Sequence, residues 1–182
     1  MRRMKSAIEH EHLGNSMNAC QTEVTDWTAL IVSDTHGDVD VLERLLNAVG
    51  NVDYLIHLGD HAWDIEHVDF QGETHVVRGN TDRKSDAPLE KIIVLSDQRI
   101  LLTHGHIEHV KYFLTRLYLK ALSEEVDVVL FGHTHTPLII REQGILFINP
   151  GSLSRPRGEN QGTYGILKME EGQLSIKVFE FD

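Results

Sequence analysis

The stretch from Thr28 to Asp60 restricts the fold more than any other part of the chain. "TALIVSD" is a short apolar run rich in β-formers, read as a buried strand. "GDVDVLERLLNAVG" follows, with Val41, Leu42, Leu45, Leu46 and Val49 at helical spacing, Asp38 placed to cap the helix and Gly50 to end it. "VDYLIHLGD" (Val52 to Asp60) is a second buried strand. Two strands joined through a helix form a βαβ unit, so the pair is expected to run parallel.

The rest of the chain extends this plan. "THVVRGN" (Thr74 to Asn80) reads as a third strand, and "LEKIIVLSDQRILLTHGH" as two strands about the turn Ser96-Asp97-Gln98. Residues 108–123 place Val110, Phe113, Leu114, Leu117, Ala121 and Leu122 on one helical face, which predicts a helix with that face in the core. Tyr112, Phe113, Leu117 and Tyr118 are likewise expected to pack. "VDVVLFGH" is the next buried strand. "LIIREQGILFINPGS" and "GTYGILKMEEGQLSIKVFEF" alternate and turn as antiparallel strands do. The expected class is α/β: two sheets packed face to face with helices outside, in one domain over residues 27–182. The polar opening, residues 1–26, lacks periodicity and an apolar signal core, and is expected to be a flexible extension. His10 and His12 in that extension are read as an accidental pair.

Composition excludes several functions. With 182 residues and 41% hydrophobic content, the chain suits one compact soluble domain. A formal net charge of −11 argues against broad binding to nucleic acid or an anionic membrane. Cys20 is the only cysteine, so an internal disulfide is excluded and a reducing cytoplasm fits. No apolar stretch reaches the roughly 18 residues that a membrane span needs.

The ends of the predicted strands share a chemistry. They run into Asp34-Thr35-His36, Gly59-Asp60, Gly79-Asn80-Thr81-Asp82, His104-Gly105-His106 and Gly132-His133-Thr134-His135. Ligands of open α/β sheets gather beyond the carboxyl ends of strands, and glycines allow the tight turns that convergence requires. Each fragment alone is an ordinary turn or a packed histidine. Five in this order point to one pocket lined by carboxylate, amide and imidazole.

These fragments resemble the motifs of the calcineurin-like metallophosphoesterase superfamily. The short length and "INPGS" (Ile148 to Ser152) are similar to its small bacterial and archaeal phosphodiesterase branch, which also resembles the retromer scaffold subunit. The resemblance covers about residues 28–180 and implies a four-layer α/β/β/α sandwich of two mixed β-sheets flanked by helices. It implies one metal held by Asp34, His36, Asp60 and His135, and a second held by Asp60, Asn80, His104 and His133. Oxygen and imidazole donors suit Mn²⁺ first, with Fe²⁺, Zn²⁺ or Ni²⁺ as alternatives. The expected activity is hydrolysis of a small phosphodiester or nucleotide, with a hydroxide shared by two ions attacking phosphorus in line.

Asp82 is expected to orient a neighbouring histidine. Many members of the superfamily carry a histidine after the asparagine that helps expel the leaving alkoxide; here the residue is Thr81, as the small branch implies. His106 or His61 would have to substitute. His57 is read as a packed histidine, His67, His75 and His109 as surface or core, and Arg155 and Arg157 as a grip for a second phosphate or as solvated charges. The rival to an enzyme is a non-catalytic metal-binding scaffold of the same fold. Among enzymes the alternatives are a nuclease, disfavoured by the lack of a basic track or aromatic ladder, and a nucleotide pyrophosphatase. The sequence leaves oligomeric state open, a homo-oligomer included.

Overall fold

The computed structural model describes residues 25–157 and 161–181. The expected extension therefore lies outside the described residues up to residue 24, and with it His10, His12 and Cys20. Ten strands and two α-helices follow in the order β1 (Trp27–Val32), α1 (Val39–Val49), β2 (Tyr54–His57), a 3₁₀ helix (Ala62–His67), β3 (Glu73–Val76), β4 (Glu90–Leu95), β5 (Gln98–Thr103), α2 (Thr115–Ser123), β6 (Val128–Phe131), β7 (Leu138–Glu142), β8 (Ile145–Asn149), β9 (Gly162–Glu170) and β10 (Gln173–Phe181). Among the described residues no helix is long and apolar enough to cross a membrane.

The predicted βαβ unit is present. β1 and β2 run parallel, with Ala29 opposite Tyr54, and β3 continues the parallel order. The α1 cap is as expected: Asp38 Oδ1 accepts from Val41 N at 3.2 Å, and Gly50 N closes the last turn on Leu46 O at 3.2 Å. One sheet has the order β10-β9-β1-β2-β3 and the other β4-β5-β6-β8-β7. Both are mixed: in the first the antiparallel β9 and β10 extend one side of a parallel set, and in the second antiparallel edge strands flank a parallel centre.

Alternate side chains build the layers, since successive residues of a strand point to opposite faces. Ala29, Ile31, Ile56, Ile100, Leu102, Val128, Leu130 and Ile148 fill the space between the sheets. Leu30, Val32 and Leu55 face outward onto Val41, Leu42 and Leu45 of α1. Leu101, Val129, Phe131 and Phe147 face outward onto Leu117 and Ala121 of α2. Strands buried on both faces explain the continuous apolar runs. The architecture is the expected α/β/β/α sandwich.

Two expectations need correction. The helix predicted over residues 108–123 begins only at Thr115, and residues 105–112 form turns. Gly105 and His109 take φ of 89° and 59°, which no right-handed helix passes through. Tyr112 and Phe113 consequently stand 75% and 70% exposed instead of packing. β8, expected in an antiparallel region, pairs antiparallel with β7 but parallel with β6.

Candidate metal centre

Parallel strands of both sheets direct their carboxyl ends to one end of the sandwich. There the chain reverses through backbone conformations that side chains rarely adopt. Asp34, His36, Asp60, His133 and His135 have φ of 55°, 50°, 59°, 69° and 57°. Non-glycine residues in this left-handed region are uncommon, and when they cluster they mark functional sites. Glycines beside them leave the necessary room. A Cβ on Gly79 would collide with the Asp60 carboxylate, and one on Gly132 with the Ser33 hydroxyl.

Asp34, His36, Asp60 and His135 each offer a ligand atom within 4.8 Å of the others. Asp34 is fully buried. Its Oδ2 accepts from Ser33 Oγ at 2.6 Å and from His133 N at 3.1 Å. Its Oδ1 has no hydrogen-bond partner, although His135 Nε2 lies 3.0 Å away and the Nε2 atoms of His36 and His104 lie 4.0 Å away. His104 Nε2 is 3.5 Å from Asp60 Oδ1 and 3.2 Å from His133 Nδ1.

The opposite ring nitrogens fix what these atoms can do. His104 Nδ1 lies 2.7 Å from the Leu58 carbonyl and His135 Nδ1 lies 2.6 Å from the Arg155 carbonyl. Only an N–H can satisfy a carbonyl, so each ring, when neutral, turns an Nε2 lone pair toward the centre. Acceptors facing acceptors at these separations call for a cation or protons between them. A buried carboxylate oxygen without a donor, ringed by imidazole lone pairs, fits a divalent ion of the first transition row.

The electrostatics agree. Burial pushes the Asp34 carboxyl up, but contact with His135 and the His104 ring outweigh it and hold it at about 2. Burial, then His104 and Lys111, lowers His133 to about 4. Burial likewise lowers His36. Contact with the Asp34 carboxylate raises His135. Two of these imidazoles, His36 and His133, are thus neutral near pH 7, the form that binds metal.

Residues behind the cluster hold it in shape. Asp82 accepts from the backbone N–H groups of Asp60 (2.9 Å), His61 (2.7 Å), Ala62 (3.1 Å) and Gly79 (2.8 Å). Its partners are backbone rather than the expected imidazole, because the Gly59–Ala62 turn presents its N–H groups to this carboxylate. His57 is packed, as read from the sequence, yet bonded at both nitrogens. Gly59 N donates to its Nδ1 at 3.1 Å, and Thr35 Oγ1 meets its Nε2 at 2.9 Å. The Thr35 hydroxyl donates in turn to Asp64 at 2.6 Å, and Asp64 also accepts from Gly37 N at 2.8 Å. Asn149 donates to the Gly132 carbonyl at 2.8 Å, and Ser152 Oγ to the Asp34 carbonyl at 2.9 Å. The "INPGS" turn thereby ties the ends of β1, β6 and β8 together.

The profile of the calcineurin-like phosphoesterase superfamily domain matches residues 28–172. The chain belongs to the calcineurin-like phosphoesterase superfamily. It is 33% identical over 152 residues to the probable metallophosphoesterase YsnB of Bacillus subtilis (strain 168), covering 83% of this chain and 89% of that one. It is 32% identical over 165 residues to the phosphodiesterase YfcE of Escherichia coli (strain K12), covering 76% and 85%. The crystal structure of a conserved protein from Streptococcus pneumoniae TIGR4, described as a predicted phosphoesterase, superposes with a TM-score of 0.73 at 30% identity over 86% of this chain and 90% of that one. Zinc-bound Vps29 of Entamoeba histolytica shares the fold, with a TM-score of 0.62 at 19% identity over 85% and 99%.

For a calcineurin-like phosphoesterase, divalent metal ions are implied by the family, and the Asp34–His36–Asp60–His135 group is suited to one. Asn80 is exposed and lies between Gly79 and Thr81, whose N–H donates to Asp60 Oδ1 at 3.0 Å. The His106 ring stands 5.3 Å from that of His104 and 6.1 Å from that of His133, and its Nδ1 is buried without a partner. His61 stands 5.6 Å from His36, ring to ring. Arg155 and Arg157 are exposed beside His135, which bonds their backbone. His67 and His109 are exposed, whereas His75 is buried against Lys91. Sequence reasoning missed Ser33, Thr35, Asp64 and Asn149; only the Asn-Pro-Gly-Ser string gave a signal for the last.

Proposed function

We propose that this chain is a metal-dependent phosphodiesterase. One observation carries the reading: the buried Asp34 Oδ1 has no hydrogen-bond donor and faces His135 Nε2 at 3.0 Å. The family and the relative named a phosphodiesterase supply the reaction class. Asp34, His36, Asp60 and His135 hold one cation in this reading, and Asp60, Asn80, His104 and His133 a second, with Asp60 common to both. Manganese is the expected metal.

Bound divalent ions supply charge neutralisation to phosphoryl oxygens and acidify water. The chain's own groups do the rest. Asp82 fixes the Asp60 turn, and the carbonyls of Leu58 and Arg155 hold protons on the Nδ1 atoms of His104 and His135, keeping Nε2 available. In the net reaction water adds to phosphorus, one P–O ester bond breaks, and the departing oxygen takes a proton. His106 is the proposed group beside that oxygen. Burial lowers its pKa, so it is neutral near pH 7 and a poor acid.

Good leaving groups should therefore be favoured. With Mn²⁺ present, an aryl phosphodiester such as bis(p-nitrophenyl) phosphate is expected to be cleaved much faster than an alkyl monoester. Asp60→Asn and His133→Ala should each lower that rate by more than about a hundredfold, beyond the loss typical when only a residue behind a ligand is removed. Rates independent of added metal would refute the proposal. A folded, metal-loaded chain inert on every phosphoester would leave a scaffold as the better reading.

A further inference from the structure

Beside the metal centre lies a cleft of about 470 Å³ lined by Trp63, Thr81, Arg83 and Lys84. Thr81 joins it to the centre, because the Thr81 N–H is the donor to Asp60 Oδ1 at 3.0 Å. Trp63 sits three residues beyond Asp60, and its ring lies 4.6 Å from the His61 ring at an interplanar angle of 43°. His61 in turn stands 5.6 Å from His36. A row of rings thus leads from a candidate ligand to an indole that is 36% exposed.

Nothing in the fold accounts for that exposure. The chain's other tryptophan, Trp27, is buried in the core and bonded to Ser96. Arg83 and Lys84 are both exposed, and among the described residues neither side chain has a hydrogen-bond or ion-pair partner. Two adjacent unpaired cations beside an open indole are unusual on a chain of net charge −11. A neighbouring cleft of about 400 Å³ shares Trp63 and Lys84 but is also lined by Glu66 and Asp86, so an anion favours the first cleft.

We infer that this cleft binds the nucleotide half of the substrate: a nucleobase against Trp63 and a phosphate between Arg83 and Lys84, with the scissile phosphorus over the metal centre. The position of the scissile group rests on the phosphodiesterase reading. A planar ring is what an open indole face recognises without regard to sequence, and paired cations recognise the adjoining phosphate. The volume is within the range of small-molecule sites, roughly 300–1,000 Å³.

The test titrates adenosine, AMP, ADP and inorganic phosphate into the full-length, Mn²⁺-loaded chain, with tryptophan fluorescence read before turnover and affinities checked by calorimetry. ADP should quench Trp63 and bind more tightly than AMP, AMP more tightly than adenosine, and inorganic phosphate should not quench. Trp63→Ala should weaken ADP binding roughly five- to a hundredfold, the range expected for loss of one base–aromatic stack. Trp63→Phe should restore most of it. Arg83→Ala with Lys84→Ala should weaken ADP far more than adenosine. A Trp63→Ala chain that binds ADP as tightly as the native chain overturns the inference. Trp63-dependent ADP binding by a chain that cleaves no ester upholds the cleft and removes the phosphodiesterase. Metal-dependent cleavage of bis(p-nitrophenyl) phosphate without a Trp63-dependent nucleotide preference removes the cleft alone.

Discussion

Asp82 shows how much one carboxylate can determine. Its two oxygens accept four backbone N–H groups around Asp60. In Asp82→Asn one oxygen becomes an NH₂ group that faces donors, leaving buried N–H groups unsatisfied. The expected loss is about 1–3 kcal/mol, read as a lower urea midpoint, with weaker Mn²⁺ binding alongside. An unchanged midpoint would contradict the role. Such a residue is only half visible in a sequence. Asp34, Asp60 and the paired histidines announce themselves because each follows an apolar run and a turn. Asp82 also stands in a motif, but three of its four partners are backbone groups about twenty residues away that only the fold brings near. The Thr35–His57–Asp64 chain is hidden for the same reason, with each member on a different element.

The two chain segments around α2 show where a periodic pattern stops being informative. Phe113 and Leu117 share a helical face in the sequence, yet Phe113 is exposed and Leu117 is buried against Val129 and Phe147. Leu117→Ala should therefore cost about 2–5 kcal/mol in chemical denaturation, whereas Phe113→Ser should stay within about 0.5 kcal/mol. Comparable losses would restore the longer helix. Apolar spacing reports which residues share a face if a helix forms; it does not report that Gly105 and His109 turn the backbone before one can begin. β8 hides a different fact. Its residues are buried on both sides, which marks it as central, but direction relative to β6 is a property of the connection and not of the strand.

At the scale of the whole molecule, buried imidazoles set the response to acid. Burial, only partly offset by Asp64 and Asp82, lowers His57 from 6.5 to about 4. The native chain then leaves His57 neutral while the unfolded chain protonates it. Stability from this group is complete above the unfolded value and is lost as pH falls from 6.5 toward about 4, by up to roughly 1.4 kcal/mol per pH unit. His133 adds to the same trend, and His135, raised by Asp34, opposes it. His57→Gln should flatten the slope of unfolding free energy against pH between 5 and 6 by about one proton. Urea titrations of both chains at several pH values would read it, and identical slopes would exclude His57 as a contributor. The first sheet brings Asp34, His36 and Asp60 to the centre and the second brings His104, His133 and His135. An ion gripped from both sides would be a rivet through the seam: prising the layers apart at that end would mean shearing coordination bonds, while the opposite end parts by peeling oil from oil.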